Sequence, residues 1–298
     1  MSELPSNASE SSFLIVIVLY NSADWIAKCL DAIRRVEFTN YEVMVVDNAS
    51  ADNGAEIVEK NYPWVQLVRS EINRGFAGGN NFGVAQAAKT DFVFLLNPDT
   101  EIDRDGLSFL AKAFQEHPKL GVAGCKMYES DGVTIQHVGG MIRANGLTYH
   151  LGNGEQERGQ YQGLIPCDYA QGAGMAVRRR IWDEMGGFDE SFNPAYFEEA
   201  DLCVRAGKAG WEVATVCESK LIHHQDTAAQ VRSRKFLELL FRGRAKFLFK
   251  HYSIWQWLTR YLPAELAWLM SGNSKGFRKI ALSALWSVRR GRTKKIAT

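Results

Sequence analysis

Three apolar runs constrain this chain more than anything else in it: Phe13–Tyr20 (FLIVIVLY), Tyr41–Asp47 (YEVMVVD) and Asp91–Leu96 (DFVFLL). None alternates apolar with polar residues, so none reads as a strand with one wet face. A short Val/Ile/Leu run bounded by turn residues is a strand buried on both sides, as in parallel sheets covered by helices. The intervening segments, Ser22–Arg35 and the stretches near Asn53–Lys60 and Asn80–Lys89, run at helical period. Further strands are predicted at Val65–Arg69 and near Gly121–Met127, with a helix near Arg104–His117. The pattern predicts an α/β fold: a mostly parallel central sheet with helices on both faces.

Residues 130–170 are glycine-rich with weak alternation, which suggests hairpins or a mobile loop. A helix is predicted at Arg179–Met185, before Gly186-Gly187, and another at Glu198–Ala209, stopped by Gly210 ahead of a strand at Trp211–Cys217. The expected organisation is a polar tail (1–11), a main domain (12–230) and a helical C-terminal region (231–298).

Charge separates the last two. From Arg232 onward there are 16 Lys and Arg against Glu238 and Glu265, whereas the rest of the chain holds 19 basic and 32 acidic residues. A basic tail of this kind seeks a polyanion, nucleic acid or an anionic membrane face. Phe, Leu, Trp and Tyr recur in it at helical intervals, with Trp255, Trp257, Trp268 and Trp286 among them. That suits an amphipathic helix lying on anionic lipid. No window is apolar enough to span a bilayer, and MSELPSNASESS lacks the basic and apolar regions of a signal peptide. Five cysteines without a CxxC pair suggest reduced thiols of a cytoplasmic protein. The expected location is the cytoplasmic face of the plasma membrane, peripherally bound.

The third run stops at Asn97-Pro98-Asp99-Thr100. Pro98 ends the regular strand and presents Asp99 at its C-terminal end, where open α/β sheets bind ligands. An ordinary turn aspartate is the plainer alternative. Two other stations follow strands. Val46-Asp47-Asn48-Ala49-Ser50 offers a carboxylate to a base N–H or a ribose hydroxyl, or else a helix cap. In Asn73–Gly83 (NRGFAGGNNFG), Gly75, Gly78 and Gly79 give the backbone room to approach a ligand near a helix start. No GxGxxG follows the first strand and no P-loop occurs, which argues against NAD enzymes and P-loop phosphotransferases.

In this order and spacing, Tyr20-Asn21, VDNAS, NRGFAGGNNFG, LLNPDT, GGFDESF, YFEEADLCVRAGKAGW and IHH resemble the family 2 glycosyltransferases of GT-A fold. The likeness covers about residues 12–230 and is greatest to rhamnosyltransferases that build O-antigen or cell-wall glycans. It implies inverting transfer of a sugar, with dTDP-rhamnose favoured, from a dTDP- or UDP-sugar to a glycan or polyprenyl-diphosphate-linked acceptor. It also implies Mg²⁺ or Mn²⁺ as cofactor.

By the same resemblance Asp99 is a metal ligand, with Asn97 standing where the family has a first aspartate. His223 or His224 completes the metal shell; sequence leaves the choice open, with a lean to His224. Glu199 is the general base, with Glu198 its rival. Tyr20, Asn21, Asp47, Asn48, Arg74 and the three glycines serve the donor. Asp168, Gly172 and Ala173 lie on the acceptor side. The acids Glu198, Glu199 and Asp201 also suit a helix N-terminus, and Asp201 sits four residues before Arg205. A homodimer is possible and a nucleic-acid partner is not expected, given the acidic main domain. Rival readings are a sugar nucleotidyltransferase, which lacks its glycine- and lysine-rich loop here, and a non-catalytic sugar-nucleotide binder.

Overall fold

A computed structural model describes residues 11–224, 233–274 and 276–290. The expected tail, apart from Ser11, and the expected boundary at 230–231 lie outside the described residues.

The N-terminal half is a run of β–α units: β1 (Phe13–Leu19), α1 (Ala23–Arg34), β2 (Tyr41–Asp47), α2 (Gly54–Asn61), β3 (Gln66–Arg69), α3 (Gly75–Gln86) and β4 (Phe92–Leu96). These four strands pair in parallel in the order β3-β2-β1-β4. Period-two geometry explains the continuous apolar run of β1. Phe13, Ile15, Ile17 and Leu19 face a core with Ile26, Leu30 and Ile33 of α1, while Leu14 and Val16 face a second core on the other side of the sheet.

After β5 (Thr100–Ile102), α4 (Gly106–Glu116) and β6 (Leu120–Tyr128), the chain makes short strands β7 (Ile135–His137), β8 (Gly140–Ile142), β9 (Thr148–His150) and β10 (Leu164–Pro166). Strand β11 (Gly174–Arg178) then enters antiparallel between β4 and β6, and β12 (Glu212–His223) runs parallel to β6. Six of the eight strands along the sheet, β3, β2, β1, β4, β6 and β12, point the same way, so it is mostly parallel as expected, with β11 and the short β10 running against them. Helices α5 (Arg179–Met185) and α6 (Glu198–Lys208) precede β12.

Helix α3 begins at Gly75, not near Asn80 as expected. Its glycines are packing devices: a Cβ on Gly79 would lie 2.8 Å from Val18 Cγ1, and one on Gly83 would lie 2.7 Å from Val46 Cγ2 and 2.9 Å from Val16 Cγ1. A segment that reads as a loop is a helix because glycine lets it press directly on two strands.

The C-terminal region forms α7 (Arg234–His251), a helical turn with a π segment over 254–261, α8 (Leu262–Met270) and α9 (Arg278–Arg289). Helix α7 is part of the main body. Phe247 lies in the second core beside Phe197, and His251 Nε2 and Lys250 Nζ approach the buried Asp201 Oδ1 at 2.8 and 2.7 Å.

Gly83→Ala tests the packing of α3. Alanine favours a helix by about 1 kcal/mol, but the stiff valines of β1 and β2 cannot turn aside. A net loss of about 1–3 kcal/mol is expected in urea unfolding.

Candidate active site

The turn Asn97–Asp99 follows β4 directly. Thr100 Oγ1 donates to the Asn97 carbonyl at 2.7 Å, and Asn97 N–H donates to the Ala173 carbonyl at 3.3 Å. The end of β12 pairs antiparallel with β5, His223 opposite Thr100, and His224 N–H donates to the Asp99 carbonyl at 2.8 Å. This pairing brings His223 Nε2 to 3.4 Å from Asp99 Oδ1. Both atoms are buried, and neither makes a hydrogen bond.

The other nitrogen of His223 fixes what Nε2 offers. Nδ1 lies 2.7 Å from Gln136 Oε1, and Gln136 Nε2 donates to Glu129 Oε2 at 3.2 Å. With its amide nitrogen committed to a carboxylate, Gln136 presents oxygen to the ring. Nδ1 therefore carries the proton, and the Nε2 lone pair points at the Asp99 carboxylate. Two electron-rich atoms so placed suit a cation between them. The carboxylate and imidazole fit a divalent ion, with further oxygens from outside the chain. Among the described residues no group of three His, Cys, Asp or Glu is assembled for a metal.

His224 is the one to set aside, against the lean taken from sequence. Its ring stacks on Trp25 at 4.8 Å, Nε2 lies 2.7 Å from Glu101 Oε1 and Nδ1 lies 3.2 Å from Ser130 Oγ, so both nitrogens are engaged. Adjacent residues of a strand face opposite ways.

The donor-side residues gather at the same rim in two roles. Tyr20 is exposed, and Asp47 Oδ1 accepts from Ser50 N–H at 3.0 Å. Asn48, expected at the ligand, is buried and spent on the glycine loop: Oδ1 accepts from Arg74 N–H, and Nδ2 donates to Asn73 Oδ1 and the Gly75 carbonyl. Asn21 Oδ1 accepts from Ala51 N–H at 2.7 Å, tying the loop after β1 to the loop after β2. Arg74 Nε donates to Ser70 Oγ at 2.9 Å, with its guanidinium over the Phe82 ring. Gly78 and Gly79 face packing neighbours, Arg74 and Val18. Gly75 has φ +69°, and a Cβ there would lie 2.7 Å from Asn193 Oδ1.

Helix α6 delivers three acids in three directions. Glu199 is half-buried, and its Oε1 accepts from Gly172 N–H at 3.3 Å. Glu198 is buried with Oε2 unpaired. Asp201 turns to Arg205 Nε at 2.8 Å, the expected pair, and to α7. Burial pushes both glutamates above the usual carboxylate range, and the Glu199 charge pushes Glu198 further, well above it. Two adjacent carboxylates out of water resist ionising together, and Glu198, raised the further of the two, is the better placed to keep a proton. Residues 172–173 join the two halves of the site: Ala173 accepts from Asn97, and Gly172 donates to Glu199. Asp168 is exposed, with Oδ2 accepting from Ile142 N–H at 2.7 Å.

The non-glycine residues with positive φ among those described are Asn21 (51°), Ala49 (61°), Tyr196 (81°) and Phe197 (78°). The first two lie in the loops after β1 and β2, and the other two introduce Glu198-Glu199. Such strain of about 1–3 kcal/mol each gathers where a site over-determines its backbone. Sequence reading missed Gln136, Glu129 and Lys246, whose ammonium burial and Arg242 push down to about 8. Nothing local marks the first two, because only the β6–β7 and β12 pairings bring them to His223.

Two solved structures share this architecture. GalNAc-T7 with UDP, GalNAc and Mn²⁺ superposes with TM-score 0.67 at 12% identity, over 94% of this chain and 56% of its own. The mannosyltransferase PcManGT from Pyrobaculum calidifontis, in complex with GDP-Man and Mn²⁺, gives 0.62 at 18%, over 94% and 75%. At such identities the likeness is one of fold, and the fold is GT-A. Sequence adds the rest. The model of glycosyl transferase family 2 matches residues 14–186, and the chain belongs to that family. The N-acetylglucosaminyl-diphospho-decaprenol L-rhamnosyltransferase of Mycobacterium tuberculosis is 26% identical over 95% of this chain and 96% of its own. The chain is a glycosyltransferase enzyme.

Gln136→Leu removes the acceptor that holds the His223 tautomer. Loss of such a partner is expected to weaken Mn²⁺ affinity about 10–100-fold, measured by electron paramagnetic resonance of bound Mn²⁺ in the presence of UDP.

Proposed function

We propose that the protein is an inverting glycosyltransferase that moves L-rhamnose from dTDP-rhamnose to a hydroxyl of a lipid-linked glycan, with Glu199 as base. The observation that carries the reading is the unpaired couple of Asp99 Oδ1 and His223 Nε2 on the same rim as Glu199. The rhamnosyl donor and polyprenyl-diphosphate acceptor are supported by the mycobacterial relative, an N-acetylglucosaminyl-diphospho-decaprenol L-rhamnosyltransferase. Assembly of O-antigen or cell-wall glycan is the setting such a substrate pair suits.

In the reaction, the acceptor hydroxyl gives its proton to the Glu199 carboxylate while its oxygen bonds to the anomeric carbon. The bond from that carbon to the diphosphate oxygen breaks, and its electron pair leaves with the nucleotide diphosphate. Asp99 and His223 would hold Mg²⁺ or Mn²⁺, which when bound offsets charge on the departing diphosphate. Gly172 N–H steadies the Glu199 carboxylate through Oε1. Burial makes Glu199 a stronger base than an exposed glutamate, which is what proton removal near neutral pH requires. Glu198, protonated beside it, adds no second negative charge to the crevice. Asp47 and Tyr20 stand where a nucleoside meets the first two strands, and Asp168 and Ala173 mark the acceptor side.

A donor screen with dTDP- and UDP-sugars and Mg²⁺ or Mn²⁺, read by release of nucleotide diphosphate, tests the assignment. Tight nucleotide binding without turnover of any donor would replace it with a non-catalytic sugar-nucleotide binder. Glu199→Gln is expected to lower kcat/KM about 10²–10⁴-fold, whereas Glu198→Gln, which copies a group already neutral, should cost less than about tenfold.

The base works only when deprotonated, and its pKa is raised. Log kcat/KM should therefore be flat on the alkaline side and fall as pH drops through an apparent pKa above that of an ordinary glutamate. This value belongs to the coupled Glu198–Glu199 pair. An acid limb at the ordinary glutamate pKa would remove Glu199 from the role.

A further inference from the structure

The helical segment over 254–270 is turned inside out for a helix bathed in water. Its one carboxylate, Glu265, points inward, where Arg244 Nη2 and Asn145 Nδ2 donate to it. Tyr261 is buried on the same side. Outward, Ile254, Trp255, Leu258, Leu262, Leu266 and Met270 are between 43% and 80% exposed. Five of these six recur every fourth residue, so they form one row along about 25 Å of helix. Leu282 and Trp286, a further i,i+4 pair, are half exposed on α9. Soluble monomers seldom leave an apolar row of this length uncovered.

Charge identifies what covers it. From residue 253 onward the sequence has nine Lys and Arg and one acid, the inward-facing Glu265. Arg260 within this segment, and Arg278, Lys279, Arg289 and Arg290 on or next to α9, are exposed. A second copy of the chain would bring this face against itself, cation to cation. Nucleic acid would engage the cations and leave the leucines in water. An anionic bilayer takes both: headgroups meet the cations, and the acyl boundary takes Trp, Ile and Leu. No helix among the described residues is long and apolar enough to cross a membrane. The geometry points to a surface-docking face, formed by the 254–270 row and α9, that lies on anionic lipid.

The face is independent of the reaction assigned above, because its test reads binding and not turnover. The full chain is floated with vesicles of phosphatidylglycerol and phosphatidylcholine, or of phosphatidylcholine alone. It is expected to partition into the anionic vesicles at least about tenfold more strongly, and to lose that advantage at ~1 M salt, where the Debye length is about 3 Å. Leu258→Ser/Leu262→Ser/Leu266→Ser should lower partitioning about tenfold or more. Trp255→Ser, a single exposed change, should lower it in the same direction, and covers the case of a triple variant that misfolds. Wild-type protein that stays at the bottom of the gradient with anionic vesicles overturns the inference. So does a wild-type dimer in light scattering that the triple variant dissolves, which would make this face a subunit interface.

Discussion

The antiparallel pairing of the last residues of β12 with β5 decides where the proposed metal-binding pair sits. It sets an imidazole from near residue 220 beside a carboxylate from near residue 100, and it does so through backbone hydrogen bonds, so the placement does not depend on either side chain being satisfied. Leaving a buried polar atom unpaired costs about 1–3 kcal/mol. Asp99 Oδ1 and His223 Nε2 have no partner within the protein, so a bound cation would spare both that cost, and Gln136 keeps the ring from turning away. A site prepared in advance loses less when its ligand arrives.

Around that corner, most of the residues at the rim serve the backbone more than the ligand. Asn48 holds the entrance of α3 with three hydrogen bonds, Asn21 binds neighbouring loops together, and the glycines of α3 bring the helix onto β1 and β2. The strained pair Tyr196-Phe197 aims the start of α6 at Gly172. Positioning of this kind matters because misplacement of a reacting group by an ångström costs orders of magnitude in rate.

The α/β class and the strands β1, β2 and β4 were legible because burial on both sheet faces leaves an unmistakable run of Val, Ile and Leu, and the helix α5 because Gly186-Gly187 marks its stop. Strand direction is not written in composition, and so the antiparallel entry of β11 was not visible. The start of α3 was missed because Gly and Asn signal loops locally, whereas the space that requires glycine belongs to Val16, Val18 and Val46. Within the site, the Asp99 turn, the glutamate pair and the two histidines stood out as polar residues at strand or helix ends. The choice between the histidines did not, since alternation says only that they differ. Gln136 had no signal at all, for its partner lies on another strand far along the chain.

Asp201 sits one turn into the helix that carries the glutamate pair, and it is held by the cations Arg205, from its own helix, and Lys250, from α7, and by a hydrogen bond to His251 of α7. Those shared contacts make the C-terminal region indivisible from the helix that carries Glu198 and Glu199. A chain ending before α7 would strip a buried acid of two of its three partners and uncover the hydrophobic seat of Phe247, just below the helix start that carries Glu198 and Glu199. Excising the tail to gain solubility would thus loosen the floor beneath the glutamate pair.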